Sequence, residues 1–462
     1  MATVEHQGYL PRWTLKTEGV IAPDERLPWG QTILVGLQHV LAMFGSTVLG
    51  PLLMGFDPNT AIFFSGIGTI VFFLIVGGRV PSYLGSSFSF IAVVTAATAY
   101  SAKSLGQPNP NISVALGGII AAGVLYAIIA VIVMFAGYRW VEFLMPPVVT
   151  GAIVMVIGLN LAPVAIGEAS SSPFNGWMAL ITVLAVAAVA VYLPGPLRRL
   201  PILLGGIIGY IIDLIFSNGL GYGPPIDFTK VANAPWIGLP HFTGPTFTGN
   251  AISLIAPVAI ILVAENTGHV KAVAAMTGRN LDKYLGRAFL GDAVATIIAG
   301  TGGGTGVTTY AENIGVMAVT RIYSTLVFIV AAVVAILLGF CPKFGALIGT
   351  IPLGVLGGLA IVLFGLIAAT GGRIWVQNRV DFSKSRNLIT AAVALTIGAG
   401  MVGNIGVNIG NFTIGGIGVA TFGSIILYQI LRERAPQPEE AVTADSAVGL
   451  NPANEVQAET TD

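Results

Sequence analysis

TGGGTGVTTYAENIGVMAVTR, residues 301 to 321, changes character halfway along. Residues 301 to 309 hold four glycines and four threonines, types that do not sustain a helix, whereas the run from Ala311 onward is apolar and helix-compatible. At membrane depth an irregular backbone is tolerated only where protein or a water-filled cavity satisfies its polar groups. The stretch therefore predicts a membrane span that is half extended and half helical, next to a cavity.

The rest of the chain supplies the membrane. Of its 462 residues 55% are hydrophobic and only 9% charged, with a mean hydropathy of +0.85, whereas soluble domains carry roughly 25% charged residues. So little charge cannot cover a water-facing globule, and the solvent must be lipid. Twenty-one basic against 21 acidic residues leaves no net positive face for nucleic acid. A single cysteine, Cys341, excludes a disulfide framework and cysteine-based metal sites, so no cofactor or metal is expected. Residues 1 to 30 lack the apolar core of a secretory signal.

At about 20 apolar residues per spanning helix, fourteen segments fit: 32–54, 60–77, 84–101, 113–136, 143–163, 175–194, 201–217, 251–270, 285–300, 307–322, 323–340, 353–370, 386–402 and 412–431. With both ends in the cytoplasm, 18 of the 21 Lys and Arg fall on the inner side, and only Lys103, Lys230 and Lys343 fall outside, as the positive-inside rule requires. The fold expected is an all-α polytopic membrane protein, preceded by a cytoplasmic segment at 1–30 and followed by a disordered cytoplasmic tail at 432–462. The long outer loop 218–250, rich in Gly, Pro and Thr, is expected to be an ordered turn region.

Fourteen spans divide into seven plus seven, and an odd number per half inverts the second half automatically. Two matches support such an inverted repeat. In the fifth span Pro146 precedes Gly151 by five residues, as Pro352 precedes Gly357 in the twelfth. The third span opens on Pro81-Ser82-Tyr83-Leu84-Gly85-Ser86-Ser87-Phe88, as poor in helix formers as the start of the tenth. Broken helices at matching places in two halves point to a transport site.

Few ionisable residues lie within spans: His39, Glu265, His269, Asp292 and Glu312. A charge at mid-bilayer costs at least about 2.5 to 3.5 kcal/mol, so these face a cavity or each other. Glu265 and His269, four apart, share a helix face. Glu312 sits at the start of the half-helix, where it serves as ligand or cap. His39 suits packing as well as a site role in proton coupling, and Asp292 suits a structural or gating role. Backbone N–H groups at Ser87 and Phe88 are candidate donors, and Phe88 and Tyr310 offer rings for stacking. Two carboxylate acceptors with backbone donors suit a small planar ligand carrying N–H and C=O groups along its edge.

The string Glu312-Asn313-Ile314-Gly315-Val316-Met317-Ala318-Val319-Thr320-Arg321 resembles the signature of the nucleobase-ascorbate transporters, and GLQHVLAMF, YLGSSFSFI and AENTGHV resemble segments of the bacterial uracil permeases within that family. The resemblance runs from about Pro28 to Leu431. It implies a transporter domain at 31–431 in which spans 1–4 and 8–11 form a core and spans 5–7 and 12–14 a gate that often dimerises. It implies that Glu265 and Glu312 accept ring N–H groups of uracil, that the backbone at Phe88 and Ala311 donates, that Tyr310 lines the ring, and that His269 joins Glu265 in proton coupling. Ala311 stands where relatives commonly have Gly, and Phe364 where uracil permeases carry Tyr. A Gln in place of Glu312 is frequent in purine-transporting relatives, so the carboxylate favours uracil over xanthine or urate. An anion carrier of the same architecture is the alternative class, but two acidic groups repel an anion. No HExxH, Gly-x-Ser-x-Gly or nucleophile–base pair indicates an enzyme.

Overall fold

The computed structural model describes residues 8–100, 108–194, 197–198, 200–402, 405–409 and 412–432. Lys103, Arg199, Arg434 and the expected disordered tail, Arg432 excepted, lie outside these. Short strands β1 (Thr14–Leu15) and β2 (Glu25–Arg26) precede helices α1 (Trp29–Met54) and α2 (Pro58–Ile75). Strand β3 (Leu84–Ser86), a 3-10 turn (Phe88–Phe90) and α3 (Ile91–Thr98) follow, then α4 (Ile112–Ala136), α5 (Arg139–Leu144), α6 (Pro147–Ala169), α7 (Pro173–Tyr192), α8 (Pro201–Leu214) and α9 (Thr229–Asn233). The second half holds α10 (Gly249–Ile255), α11 (Val258–Thr277), α12 (Leu285–Gly302), β4 (Val307–Thr309), α13 (Ala311–Thr320), α14 (Thr325–Gly339) and α15 (Pro342–Ile348). It ends with α16 (Leu353–Gln377), α17 (Ser385–Gly400), the hairpin β5 (Gly406–Ile409) and β6 (Phe412–Gly415), and α18 (Gly416–Ile430).

The molecule is mainly helical, and among the described residues eight helices are long and apolar enough to cross a membrane, or nine if α14 and α15, bent by 86°, make one span. The other segments read in the sequence fall on shorter or more polar elements. Spans three and ten are partly strand, and α12 carries Arg287 and Asp292. The fourteenth begins as a strand rather than a helix, because Phe412 to Gly415 pairs antiparallel with Gly406 to Ile409. Residues 143–146, read as the start of the fifth span, instead end α5 and turn into α6 behind Pro146.

The Pro-Gly matches mark real equivalences of local structure. Pro146 and Pro352 cap α6 and α16 with nearly the same backbone angles (φ −65°, ψ 167° and φ −66°, ψ 153°). The two helices then pack through glycines: a Cβ on Gly151 would stand 2.8 Å from the Gly371 carbonyl, and one on Gly357 3.2 Å from that of Ala165. Glycine lets the backbones approach closely, and in lipid such packing holds helices together where burial from water cannot.

Both pre-span segments are tied down. On the N-terminal side Ile21 N–H donates to the Arg321 carbonyl (3.1 Å), Trp13 Nε1 to Thr325 Oγ1 (3.0 Å) and Arg279 pairs with Asp24 (2.6 Å). Within the long loop Thr243 N–H donates to Gly302 (3.2 Å), Thr246 N–H to Ser113 (2.7 Å) and Gly238 N–H to Phe340 (3.0 Å). The segment expected at 1–30 is thus, from residue 8, a strap across the ends of α13 and α14.

Candidate functional site

The two broken segments meet. β3 pairs antiparallel with β4, Leu84 opposite Thr309, Gly85 opposite Thr308 and Ser86 opposite Val307. The pairing continues at both ends, where Ser87 N–H donates to the Gly306 carbonyl (2.9 Å) and Tyr310 N–H to that of Tyr83 (3.0 Å). Two buried threonines bond the strands to their flanking helices. Thr69 on α2 accepts from Leu84 N–H (2.9 Å), and Thr296 on α12 accepts from Val307 N–H (3.2 Å). Position 85 must be glycine, because a Cβ there would lie 2.6 Å from the Tyr310 hydroxyl.

Two half-helices leave this crossing, each opening with a first turn whose N–H groups have no acceptor in the helix itself. Phe88 and Ser89 start one; Ala311 and Glu312 start the other. Ser87 serves the first turn differently from expectation: its own N–H is taken by Gly306, and its hydroxyl accepts from Ser89 N–H (3.3 Å). The donor role read for both residues therefore falls to Phe88, with Ser87 as the cap.

Glu265, on α11, accepts from Ser89 Oγ (3.3 Å), and Glu312 accepts from Ser46 Oγ on α1. Both carboxylates are thereby brought to the two half-helix starts. Tyr310 is buried, its hydroxyl donating to the Ser86 carbonyl (2.9 Å) and accepting from Thr47 (3.2 Å), so it braces the crossing. The Phe88 ring meets Phe364 of α16 edge-on at 6.0 Å. One side is open: Ala311 is exposed, both glutamates are part-exposed, and a Cβ on Gly268 or Gly315 would meet nothing within 4 Å.

His269 bonds through Nδ1 to Thr309 Oγ1 (2.8 Å), one turn from Glu265. His39 is not with them. It is fully buried behind α13, its ring tilted against that of Phe328 at 4.6 Å, with Nδ1 3.0 Å from Asn313 Nδ2. Asn313 Nδ2 also donates to the His39 backbone carbonyl (3.1 Å), which ties this part of α1 to α13. Asp292 is also fully buried and accepts from Asn266 Nδ2 (2.6 Å), which also donates to Tyr126 (3.1 Å).

Sequence reasoning passed over Ser46, Thr47, Ser89, Asn266, Thr309 and Asn313. A signal existed for the asparagines, since Glu265-Asn266-Thr267-Gly268 and Glu312-Asn313-Ile314-Gly315 repeat one pattern. In each the Glu meets the open side, the Asn turns back to hold a buried ionisable side chain and the Gly borders open space. Among the described residues no group of three or more His, Cys, Asp or Glu could hold a metal ion.

The chain resembles known proteins over most of its length. The model of the Permease family matches residues 30–406. The chain is 59% identical over 436 residues, 93% of its own length and 97% of the relative's, to "Putative pyrimidine permease RutG" of Escherichia coli (strain K12). It is 41% identical over 435 residues, 91% and 96% of the two lengths, to the uracil permease of Bacillus caldolyticus. Among solved structures it resembles SLC26A9 (TM-score 0.61, 14% identity, covering 87% of this chain and 66% of that one) and the transmembrane domain of the cyanobacterial bicarbonate transporter BicA (TM-score 0.58, 15% identity, covering 86% and 96%). At that identity the likeness is one of fold.

Proposed function

The chain belongs to the Permease family, the nucleobase-ascorbate transporters, which are transporters rather than enzymes, and on that footing we propose that it imports uracil together with protons. The observation that carries the reading is the placement of Glu265 and Glu312 at the starts of two half-helices that share one strand pair. Two carboxylates accept two ring N–H groups, while the first-turn N–H groups of Phe88 and Ala311 donate to ring carbonyls. Uracil presents that pattern and little else. The fold neighbours include a bicarbonate transporter, but a site with two carboxylates repels an anion.

The architecture proposed is the fourteen-segment inverted repeat, and the packing supports it. Exchanging the halves turns the contact of α4 with α12 into that of α14 with α2, α7 with α8 into α17 with α18, and α16 with α7 into α6 with α17; each of these pairs packs. The strand register is symmetric about Gly85 and Thr308, and so are the flanking bonds from Ser87 and Tyr310. We assign α1–α4 with α10–α14 to a core that carries the site. We assign α6–α8 with α16–α18 to a gate, through which a homodimer would form. Both termini lie in the cytoplasm of a cell bounded by the plasma membrane.

Uracil is neutral, so its accumulation needs a coupled ion, and Glu265 with His269 one turn away offers a proton acceptor. Uptake of radiolabelled uracil in a permease-deficient cell tests this. It rises as external pH falls, collapses with a protonophore, ignores replacement of Na⁺ by choline, and is competed less by xanthine or urate than by unlabelled uracil. Sodium-dependent uptake that survives a protonophore would remove the proton and leave the nucleobase. Competition by xanthine at uracil's own concentration would move the substrate to the purines.

A further inference from the structure

Two serines stand between the halves of the site. Ser46 and Ser89 are each 1% exposed, and each turns its hydroxyl onto one of the site carboxylates, Ser46 onto Glu312 and Ser89 onto Glu265. Ser46 lies outside the strings that carry the resemblance and Ser89 inside one of them, YLGSSFSFI, and a buried serine in a membrane helix ordinarily bonds back to a carbonyl of its own helix. Ser424 does so, onto Thr421 at 2.9 Å. These two reach a different element instead.

Their positions are related. Counting from the centre of the strand pair, Ser89 lies four residues past Gly85 and Glu312 four past Thr308, so the two occupy equivalent places on the two half-helices. Ser46 lies on α1 and Glu265 on α11, the long helices of the first span in each half. The bond from Ser89 to Glu265 and the bond from Ser46 to Glu312 are therefore one contact made twice with donor and acceptor exchanged. In each, the second half supplies the carboxylate and the first half the hydroxyl.

Resting on the nucleobase reading, we propose that Ser46 and Ser89 are the positioning residues of the site: each holds one oxygen of its carboxylate so that the other faces the N–H of an imide edge. A hydroxyl donates once, and here that donation goes to the glutamate, so neither serine has a proton left for the ligand's carbonyls. A carboxylate left free to rotate loses the alignment that a planar N–H requires. The first half of the chain, which brings no charge to the site, thus sets the direction of both charges.

Equilibrium binding of radiolabelled uracil to the purified full chain, with uptake kinetics alongside, tests this by two double-substitution cycles. Because a hydrogen bond to a charged group outweighs a neutral one, Ser46→Ala and Ser89→Ala are each expected to weaken binding about three- to tenfold. KM rises while the maximal rate stays within about twofold. In the Glu312→Gln background the further effect of Ser46→Ala falls below about twofold, as does that of Ser89→Ala with Glu265→Gln. Ser46→Thr, which keeps the hydroxyl, retains affinity. Full additivity in both cycles, or single variants that bind as wild type does, would overturn the assignment. If Ser46→Ala fails to fold, the Ser89 cycle decides by the same criterion. Wild-type protein that does not bind uracil overturns the nucleobase reading and this one together, whereas binding with additive cycles overturns only the serines.

Discussion

The two half-helices that start at Phe88 and at Ala311 share a backbone and differ in chemistry. Each follows a three-residue strand in the same pair, and each begins where an N–H has just been spent on the opposite strand, Ser87 on Gly306 and Tyr310 on Tyr83. Yet the first opens with a hydroxyl-capped 3-10 turn carrying an aromatic ring, and the second with a carboxylate in an α-helical turn. On the proposed reading, duplicated geometry sets where a ligand's carbonyls are met, and the unlike side chains decide what else it must present. A symmetric crossing with asymmetric residues would then bind a ligand in one orientation.

The comparison breaks most completely at its centre. Gly85→Val drives two methyl groups into the Tyr310 ring, whereas Thr308→Val at the opposite position changes the side-chain volume little. Overpacking of this kind costs about 1 to 3 kcal/mol, so a lower yield of monodisperse, detergent-solubilised protein is expected for the first and a near-normal yield for the second. Equal yields would show that the two positions do not meet as described.

Next in size is the carboxylate itself. Hydrogen bonds to charged groups contribute about 1.5 to 3 kcal/mol, so Glu312→Gln is expected to weaken uracil binding at least about tenfold while melting close to wild type. Unchanged affinity in a thermal-shift titration would remove Glu312 from the site. The first half-helix is sharpened by a pair of variants at one position. Phe88→Pro deletes the N–H at a place where proline fits, the first residue of a turn behind an extended Ser87, whereas Phe88→Ala deletes the ring and keeps the donor. Uptake is expected to be lost in the first and reduced but measurable in the second. The smallest effect belongs to the cap. Ser87→Ala removes the acceptor for Ser89 N–H, worth about 1 kcal/mol, and is expected to lower the melting temperature by a few degrees while transport persists. A correctly inserted but inactive Ser87→Ala would make that hydroxyl a ligand.

Much of the crossing was legible because glycine and threonine runs cannot hide in a membrane sequence: both strands fall where residues 81–88 and 301–309 break the apolar pattern. Glu265 and Glu312 were legible because charge in lipid is costly. Ser46 and Ser89 were not, since one serine among apolar residues looks the same whether it faces its own helix or a carboxylate from another. The pairing of Gly406–Ile409 with Phe412–Gly415 was also missed, Phe412 to Gly415 having the hydropathy of a helix start. His39 shows the converse: a conspicuous residue type that the fold turns away from the cleft, toward Asn313 and Phe328.

The central claim is that one ligand is held between the two half-helix starts, and a structure of the chain determined with uracil tests it most directly. The account predicts ring density at the open side of the β3–β4 crossing, with carboxylate oxygens of Glu265 and Glu312 within hydrogen-bond distance of the two ring nitrogens and the N–H groups of Phe88 and Ala311 on the carbonyls. Density elsewhere, or at the crossing with neither carboxylate in contact, would contradict it.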